Sequence, residues 1–239
     1  MRTPRARTSV SAGIWVSVAM LALAAQTAAQ MHNTLSDAER AAGWALLFDG
    51  RTLDGWRGYG MDGLPGSWAV EDGTIARAGP GGDLITDAQF SDFELAFEWR
   101  VEEGGNSGLF YRGVEGLPVI YQGAPEYQVL DDANHVDGQS PVTSAGSNYA
   151  LHPAPRGLAR PAGAWNQGRI VVRGNQVEHW LNGTRVVAYE LHSDDWKARV
   201  AASKFAAWPA YGRAERGHIG LQDHGDRVWY RNLKVRVLG

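Results

Sequence analysis

Phe93-Glu94-Leu95-Ala96-Phe97-Glu98-Trp99-Arg100-Val101 alternates large apolar and polar or small residues over nine positions. A period of two puts Phe93, Leu95, Phe97, Trp99 and Val101 on one face of a strand, toward a core. Shorter runs of the same kind flank it. Trp68-Ala69-Val70 stops at Glu71-Asp72-Gly73, and Thr74-Ile75-Ala76 resumes, which reads as a hairpin. Ser107–Arg112 and Glu126–Leu130 are further strands. Ile170–Arg173, Val177–Leu181 and Arg185–Tyr189 form a meander, whose second turn is Asn182-Gly183. That pair suits a type I′ hairpin, because both central residues need positive φ. About a dozen short strands with frequent turns predict an all-β fold of two packed antiparallel sheets. Only Ser193–Ser203 reads as a helix late in the chain: Ser193 can cap it, and Asp194 and Asp195 precede Lys197 and Arg199 in the order the helix dipole favours.

The strand-like run from Gly217 ends in Gln222-Asp223-His224-Gly225, and an alternating run, Val228–Val237, follows at once. Polar side chains clustered at a strand end are where β scaffolds carry sites. Between Asp131 and Gly163 four prolines (Pro141, Pro153, Pro155, Pro161) and several glycines predict long loops, which on such a scaffold are often functional.

The chain has 239 residues and no cysteine. Arg2, Arg5 and Arg7, an apolar stretch from Ile14 to Ala25, and small residues at Thr27 and Ala29 read as a signal peptide over residues 1–29. The apolar run is short for a membrane span, which needs about 20 residues. The expectation is an exported protein, periplasmic or extracellular, with no disulfides and no membrane attachment after cleavage. Residues 30–43 read as an exposed lead-in with a short helix, where Ser36 and Glu39 have capping-box spacing. Residues 44–239 form one domain. With the three leading arginines set aside, 20 basic and 26 acidic side chains leave a net charge near −6, the wrong sign for a nucleic-acid binder. Nine tryptophans beyond residue 29 mean an aromatic core, a sugar-stacking surface, or both. Trp99, Trp180 and Trp229, in strand runs, are assigned to the core. Trp56, Trp165, Trp196 and Trp208, near turns or a helix, include the candidates for stacking on a sugar.

Several motifs occur in order along the chain: Leu47-Phe48-Asp49-Gly50-Arg51-Thr52-Leu53-Asp54-Gly55-Trp56, Gly105-Asn106-Ser107-Gly108-Leu109-Phe110-Tyr111-Arg112, Glu126-Tyr127-Gln128-Val129-Leu130-Asp131-Asp132, Trp165-Asn166, His179-Trp180-Leu181-Asn182-Gly183, Ser203-Lys204-Phe205 and Gly220-Leu221-Gln222-Asp223-His224-Gly225. Any one is weak; the ordered set, over roughly residues 44–238, resembles the domain-of-unknown-function 1080 family, also called the 3-keto-disaccharide hydrolase domain. The resemblance implies a concanavalin A-like jelly roll with a sugar-sized groove on one concave sheet face. It also implies a carbohydrate substrate and cleavage of 3-keto glycosides.

Within that frame, strand parity places Glu126 with Gln128, and Asn106 with Arg112, so all four are candidates for one groove; the alternative is a surface ion pair with solvated neighbours. An arginine beside Glu126 would favour its ionised form. Lys204 is either plain surface charge or a cation able to polarise a ketone. Histidine is the side chain that ordinarily changes charge near neutral pH, so His224 either moves a proton to a leaving oxygen or packs a turn. Glu126, Lys204 and His224 are the catalytic candidates; Asn106, Arg112, Gln128, Asp131, Tyr149 and Gln222 are the substrate-binding candidates. His152 could also face the groove. Asp131, Asp132, His135 and Asp137 gather oxygen and nitrogen donors without the spacing of a known metal motif. No cofactor is required by this reading, a structural calcium is conceivable from the jelly-roll resemblance, and oligomeric state is left open. Gly-x-Ser-x-Gly and His-Glu-x-x-His are missing. Gln128 stands where concanavalin-like glucanases carry a catalytic aspartate, which disfavours a two-carboxylate glycosidase, though Glu126 with Asp131 or Asp132 keeps it open. A ketone at C3 would acidify the C2 proton and permit β-elimination of the C1 substituent by a base, an enolate stabiliser (Lys204 or Arg112) and a leaving-group acid. The alternatives are a noncatalytic carbohydrate-binding module in the same groove and a calcium-stabilised envelope domain.

Overall fold

A computed structural model of the chain describes residues 32–239. The signal-peptide reading falls on residues 1–29 and lies outside them. Among the described residues no helix is long and apolar enough to cross a membrane.

Among the described residues thirteen strands build two antiparallel sheets. The larger has the order β11(Thr184–Glu190)-β10(Gln176–Leu181)-β9(Asn166–Arg173)-β6(Phe93–Val101)-β13(Val228–Val237)-β4(Thr74–Arg77)-β3(Trp68–Glu71), with β1(Trp44–Leu46) pairing β13. The smaller has the order β2(Trp56–Gly58)-β5(Leu84–Phe90)-β12(Gly217–Leu221)-β7(Asn106–Gly113)-β8(Glu126–Leu130). This is the two-sheet sandwich that the alternation predicted, in the jelly-roll form that the family resemblance implied. Phe93, Leu95, Phe97, Trp99 and Val101 of β6 are at most 2% exposed and meet Leu109, Tyr127, Ile219 and Leu221 of the facing sheet in one core. The meander turn has Asn182 at φ 49° and Gly183 at φ 83°, the positive pair expected of a type I′ hairpin.

Gly168 on β9 lies opposite Phe97, and a methyl group there would overlap the Phe97 ring. Gly168→Ala should therefore destabilise the fold by about 1–3 kcal/mol through overpacking. Urea unfolding checks this, and adding Phe97→Leu should restore most of the loss.

The short helix α1(Asp37–Ala41) forms with the capping box between Ser36 and Glu39. The lead-in departs from the expected exposure at one residue. Asn33 is buried, and its backbone amide and side-chain oxygen pair with Asn232 at 2.6 and 2.8 Å while its amide nitrogen bonds Gly73 O. The later helix α2(Asp194–Ala201) starts at the predicted cap, with Ser193 Oγ accepting from Trp196 N.

Two tryptophans assigned to the core are not in it. Trp229 pairs Arg100 and Trp180 pairs Arg169, positions that face away from the core. Both indoles are half-buried under guanidinium groups, Arg100 at 4.5 Å from the Trp229 ring and Arg169 at 5.1 Å from the Trp180 ring. The same period of two that buries Trp99 and Tyr230 puts their neighbours outside.

Candidate active site

The smaller sheet carries the site on the face turned from the core. Tyr127 and Val129 of β8 enter the core, so Glu126 and Gln128 point the other way. Glu126 pairs Phe110 and Gln128 pairs Gly108 across β7. Gly108 leaves space that the Glu126 side chain fills: a methyl group there would stand 2.7 Å from Cδ and 2.8 Å from Cγ. The carboxyl therefore lies over the strand beside its own.

The segment from 131 to 163 is irregular apart from a 3-10 turn at Val136–Gln139, as its prolines predict. It runs along the free edge of β8: Gly146 N donates to Gln128 O at 2.9 Å, and Tyr149 N to Glu126 O at 3.0 Å. These bonds cover an open edge and bring Tyr149 over the site. After α2, Ser203 caps a second 3-10 turn, Lys204–Ala207, whose buried Phe205 stacks on Tyr211 with ring centres 4.0 Å apart. The stack continues through Trp196, Tyr189 and His152. Lys204 thus stands on a rigid aromatic base, with Nζ 4.4 Å from the centre of the Tyr149 ring.

Asn106, Tyr121, Glu126, Gln128, Tyr149, Lys204, Phe205, Gln222 and His224 line one pocket of about 120 Å³. Seven of the nine predicted site residues meet here. The side-chain oxygens of Asn106, Gln128 and Gln222 are buried and have no hydrogen-bond partner. Buried amide oxygens are rarely left this way, and three around one pocket make it a ready acceptor for hydroxyl groups. His224 is half exposed at the rim, with Nε2 3.4 Å from Asn106 Nδ2 and Nδ1 3.9 Å from Asp226. Burial pushes the Glu126 carboxyl up to about 8, against the downward pull of Lys204, while the charges of Asp83 and Asp137 add to the rise. Burial, with Asp137 and Glu126 nearby, raises the Tyr149 phenol to about 12.

Arg112 and Asp131 do not line this pocket. β7 bulges where it meets β12: three residues, His218 to Gly220, face four, Gly113 to Phe110, and Arg112 takes φ 52°. The bulge breaks the parity that would have aligned Arg112 with Asn106. Its guanidinium is buried against Ser91 O, Gly174 O and Asp92 instead. No arginine lines the pocket beside Glu126, and the expected drive toward ionisation is replaced by its opposite. Asp131 closes turns, accepting from the amides of Gly104 and Ala133 and from Asn134 Nδ2. Asp132 likewise accepts from Ala145 N. Among the described residues, no three His, Cys, Asp or Glu side chains gather as metal ligands. His152 lies in the aromatic stack, and burial lowers it to about 4. None of Trp56, Trp165, Trp196 or Trp208 lines the pocket, although Trp208 packs on its Tyr121 and Phe205. Tyr121 is a lining residue that no sequence pattern marked; it sits in a 3-10 turn, Ile120–Gln122.

The family model described as 3-keto-alpha-glucoside-1,2-lyase-like domain matches residues 43–236, nearly all of the described chain. The chain belongs to that family. A 3-keto-disaccharide hydrolase of Bacteroides thetaiotaomicron is 42% identical over 230 residues, covering 83% of this chain and 79% of that protein. The crystal structure of a candidate glycosyl hydrolase from Parabacteroides distasonis superposes with a TM-score of 0.82 at 33% identity, covering 87% of this chain and all of that one. A carbohydrate-binding module from Bacillus subtilis shares the fold at a TM-score of 0.50 and 12% identity, over 76% of this chain and 95% of the module. Its likeness concerns the sandwich only.

Proposed function

We propose that the chain cleaves the glycosidic bond of 3-keto glycosides by enolate-forming elimination at C2, followed by hydration. The observation that carries this reading is the make-up of the pocket: Glu126 is the one carboxyl among its lining residues, and a cation and a histidine accompany it. Acid–base glycoside hydrolysis through an oxocarbenium ion ordinarily uses a pair of carboxyl groups. Asp131 and Asp132, the sequence candidates for a partner, are turned to backbone amides. A base, a cation and a proton donor are what carbanion chemistry beside a ketone needs. The name of the Bacteroides relative and the lyase-like description of the family support the same substrate class.

In this reading ionised Glu126 takes the proton from C2. The C–H electron pair becomes the C2–C3 double bond, and the ketone oxygen takes negative charge beside Lys204. Return of that charge to carbon expels the C1 oxygen, which receives a proton from protonated His224. Water then adds at C1 of the unsaturated ketone, His224 accepts a water proton, and Glu126 returns a proton to C2. The net change is hydrolysis. Asn106, Gln128 and Gln222 accept hydrogen bonds from ring hydroxyls. The basic and apolar start of the chain, residues 2–29, supports export, so the substrate would be met outside the cytoplasm.

The test is incubation of the protein with 3-keto-trehalose and with trehalose, in deuterated and in heavy-oxygen water, followed by mass spectrometry. Cleavage of the keto sugar alone with deuterium at C2 is expected. Equal cleavage of both sugars would refute the ketone requirement. Binding of intact sugar without turnover would favour a carbohydrate-binding module.

A further inference from the structure

Asp83 comes just before β5, in no motif that the sequence reading singled out. Leu84 pairs Leu221, and Leu221 pairs Leu109. All three enter the core. One position along, Asp83, Gln222, Gly108 and Gln128 therefore form a row across four strands on the opposite face, the face of the pocket. The Glu126 carboxyl occupies the space above Gly108 in the same row. Two strand spacings, about 10 Å, separate the Asp83 backbone from that point. The Asp83 side chain bends toward it, since Oδ1 accepts from Asp223 N at 2.8 Å on the intervening strand end.

The charge environment of Asp83 is unlike that of its neighbours. Asp223 is compensated by Arg77 at 2.7 Å and by the amides of Gly81 and Gly82. The buried Glu94 has Arg169 and Arg236. Asp83 has no ion pair among the described residues, although it is partly buried and burial and the Asp223 charge push it up to about 6. A buried carboxylate without a cation is costly, and its field reaches whatever titrates nearby in a low-dielectric surrounding.

We propose that Asp83 is a positioning residue of this site: it fixes the strand end that carries Gln222, and its uncompensated negative charge makes Glu126 a stronger base. The proposal rests on the reading of Glu126 as the base. The titratable groups around Glu126 are Lys204 from the turn after α2, Asp137 from the 3-10 turn at Val136–Gln139, Tyr149 from the covering segment, His224 beyond the end of β12, and Asp83, with the phenols of Tyr211 and Tyr230 in the core behind it. Asp83 and Asp137 are the ones whose negative charge opposes ionisation of Glu126, and Lys204 is the cation that assists it. Asp83 in turn faces Asp223, the Tyr59 hydroxyl and Glu126.

Asp83→Asn keeps an oxygen for the Asp223 amide and removes the charge; Asp83→Ala removes both. The direct readout is titration of the Glu126 carboxyl by carbon NMR, its signal assigned with Glu126→Gln. The expected result is a midpoint lowered by roughly half to one pH unit in both variants. The Asp223 amide signal should move strongly in Asp83→Ala and little in Asp83→Asn. A Glu126 midpoint within about 0.2 unit of the unsubstituted protein in Asp83→Asn would overturn the proposal, being too small for the expected coupling. If Asp83→Ala fails to fold, Asp83→Asn decides alone. Turnover of 3-keto-trehalose supplies the separate arm: the acid limb of kcat should shift down with the NMR midpoint. A midpoint that moves under an unmoved acid limb would overturn Glu126 as the base, and with it the claim about basicity, while the electrostatic coupling stands.

Discussion

Glu126→Gln should lower kcat on a 3-keto disaccharide by about 10³-fold or more and leave KM within a few-fold. Glutamine keeps the size of the side chain and can still hydrogen-bond, so the loss reports removal of the base. The same substitution should stabilise the protein, and the sign follows from the direction of the shift. Burial raises the Glu126 carboxyl from 4.5 to about 8, so the folded chain holds a proton that the unfolded chain releases above pH 4.5. Stability is therefore lost as pH rises from about 4.5 to about 8, and the full penalty, on the order of 3–5 kcal/mol, is present above that range. Glutamine carries no such penalty. Denaturant unfolding at pH 5 and at pH 9 should show the variant near parity at the lower pH and clearly more stable at the higher. Activity of the unsubstituted enzyme should rise with pH toward 8 as the base ionises, because kcat/KM follows the free enzyme. A variant that is both inactive and more stable would identify a group retained for chemistry at the expense of the fold. Retained activity in Glu126→Gln would move the proton abstraction elsewhere in the pocket.

The strands, the Asn182-Gly183 hairpin and both helix caps were legible because each is a local rule: a period of two, a positive-φ pair, a serine three residues before an amide it can accept. Seven of the pocket residues were legible for a related reason. Glu126, Gln128 and Asn106 stand at strand positions whose parity is readable, Gln222 directly follows the end of β12, and Tyr149, Lys204 and His224 lie in the irregular segment and the family-like motifs beside them. Arg112 failed the same parity rule because of one extra residue in a bulge, and bulges leave no reliable mark unless glycine occupies them. Trp180 and Trp229 misled for the opposite reason. Their size argued for the core more loudly than their parity argued against it, and stacked arginines made the exposed face tolerable. Asp83 and Tyr121 depend on which strands become neighbours and which turn folds over them, and neither fact is local in the chain. The ionisation of Glu126 was unreadable too. It depends on the depth of a pocket assembled from β7, β8, β12, the 131–163 segment and the turn after α2.

Gly108→Ala should cost kcat about 10²-fold while the protein stays folded, which separates placement of the base from its presence. The added methyl would stand 2.7 Å from Glu126 Cδ, inside van der Waals contact, and Glu126 is the flexible partner in that clash. Gly108 itself has no positive φ, so alanine strains no backbone there. The relief available is rotation of the Glu126 side chain toward the open pocket, away from the position above β7. Misplacement of a reacting group by about 1 Å is worth roughly two orders of magnitude in rate. The carboxyl would also gain solvent as it moves outward, so its midpoint should fall from about 8 toward the ordinary range, a direction opposite to what further burial would give. Carbon NMR of the Glu126 carboxyl and single-turnover kinetics on the keto sugar together read the two effects. A slow enzyme with a lowered midpoint is the expected pair. A slow enzyme with an unchanged midpoint would mean that the methyl blocks substrate rather than moving the base, and KM rather than kcat would then carry the loss. In the expected case Gly108 makes room for the base, and the carboxyl it accommodates joins the pocket to the row that runs from Gln128 to Asp83.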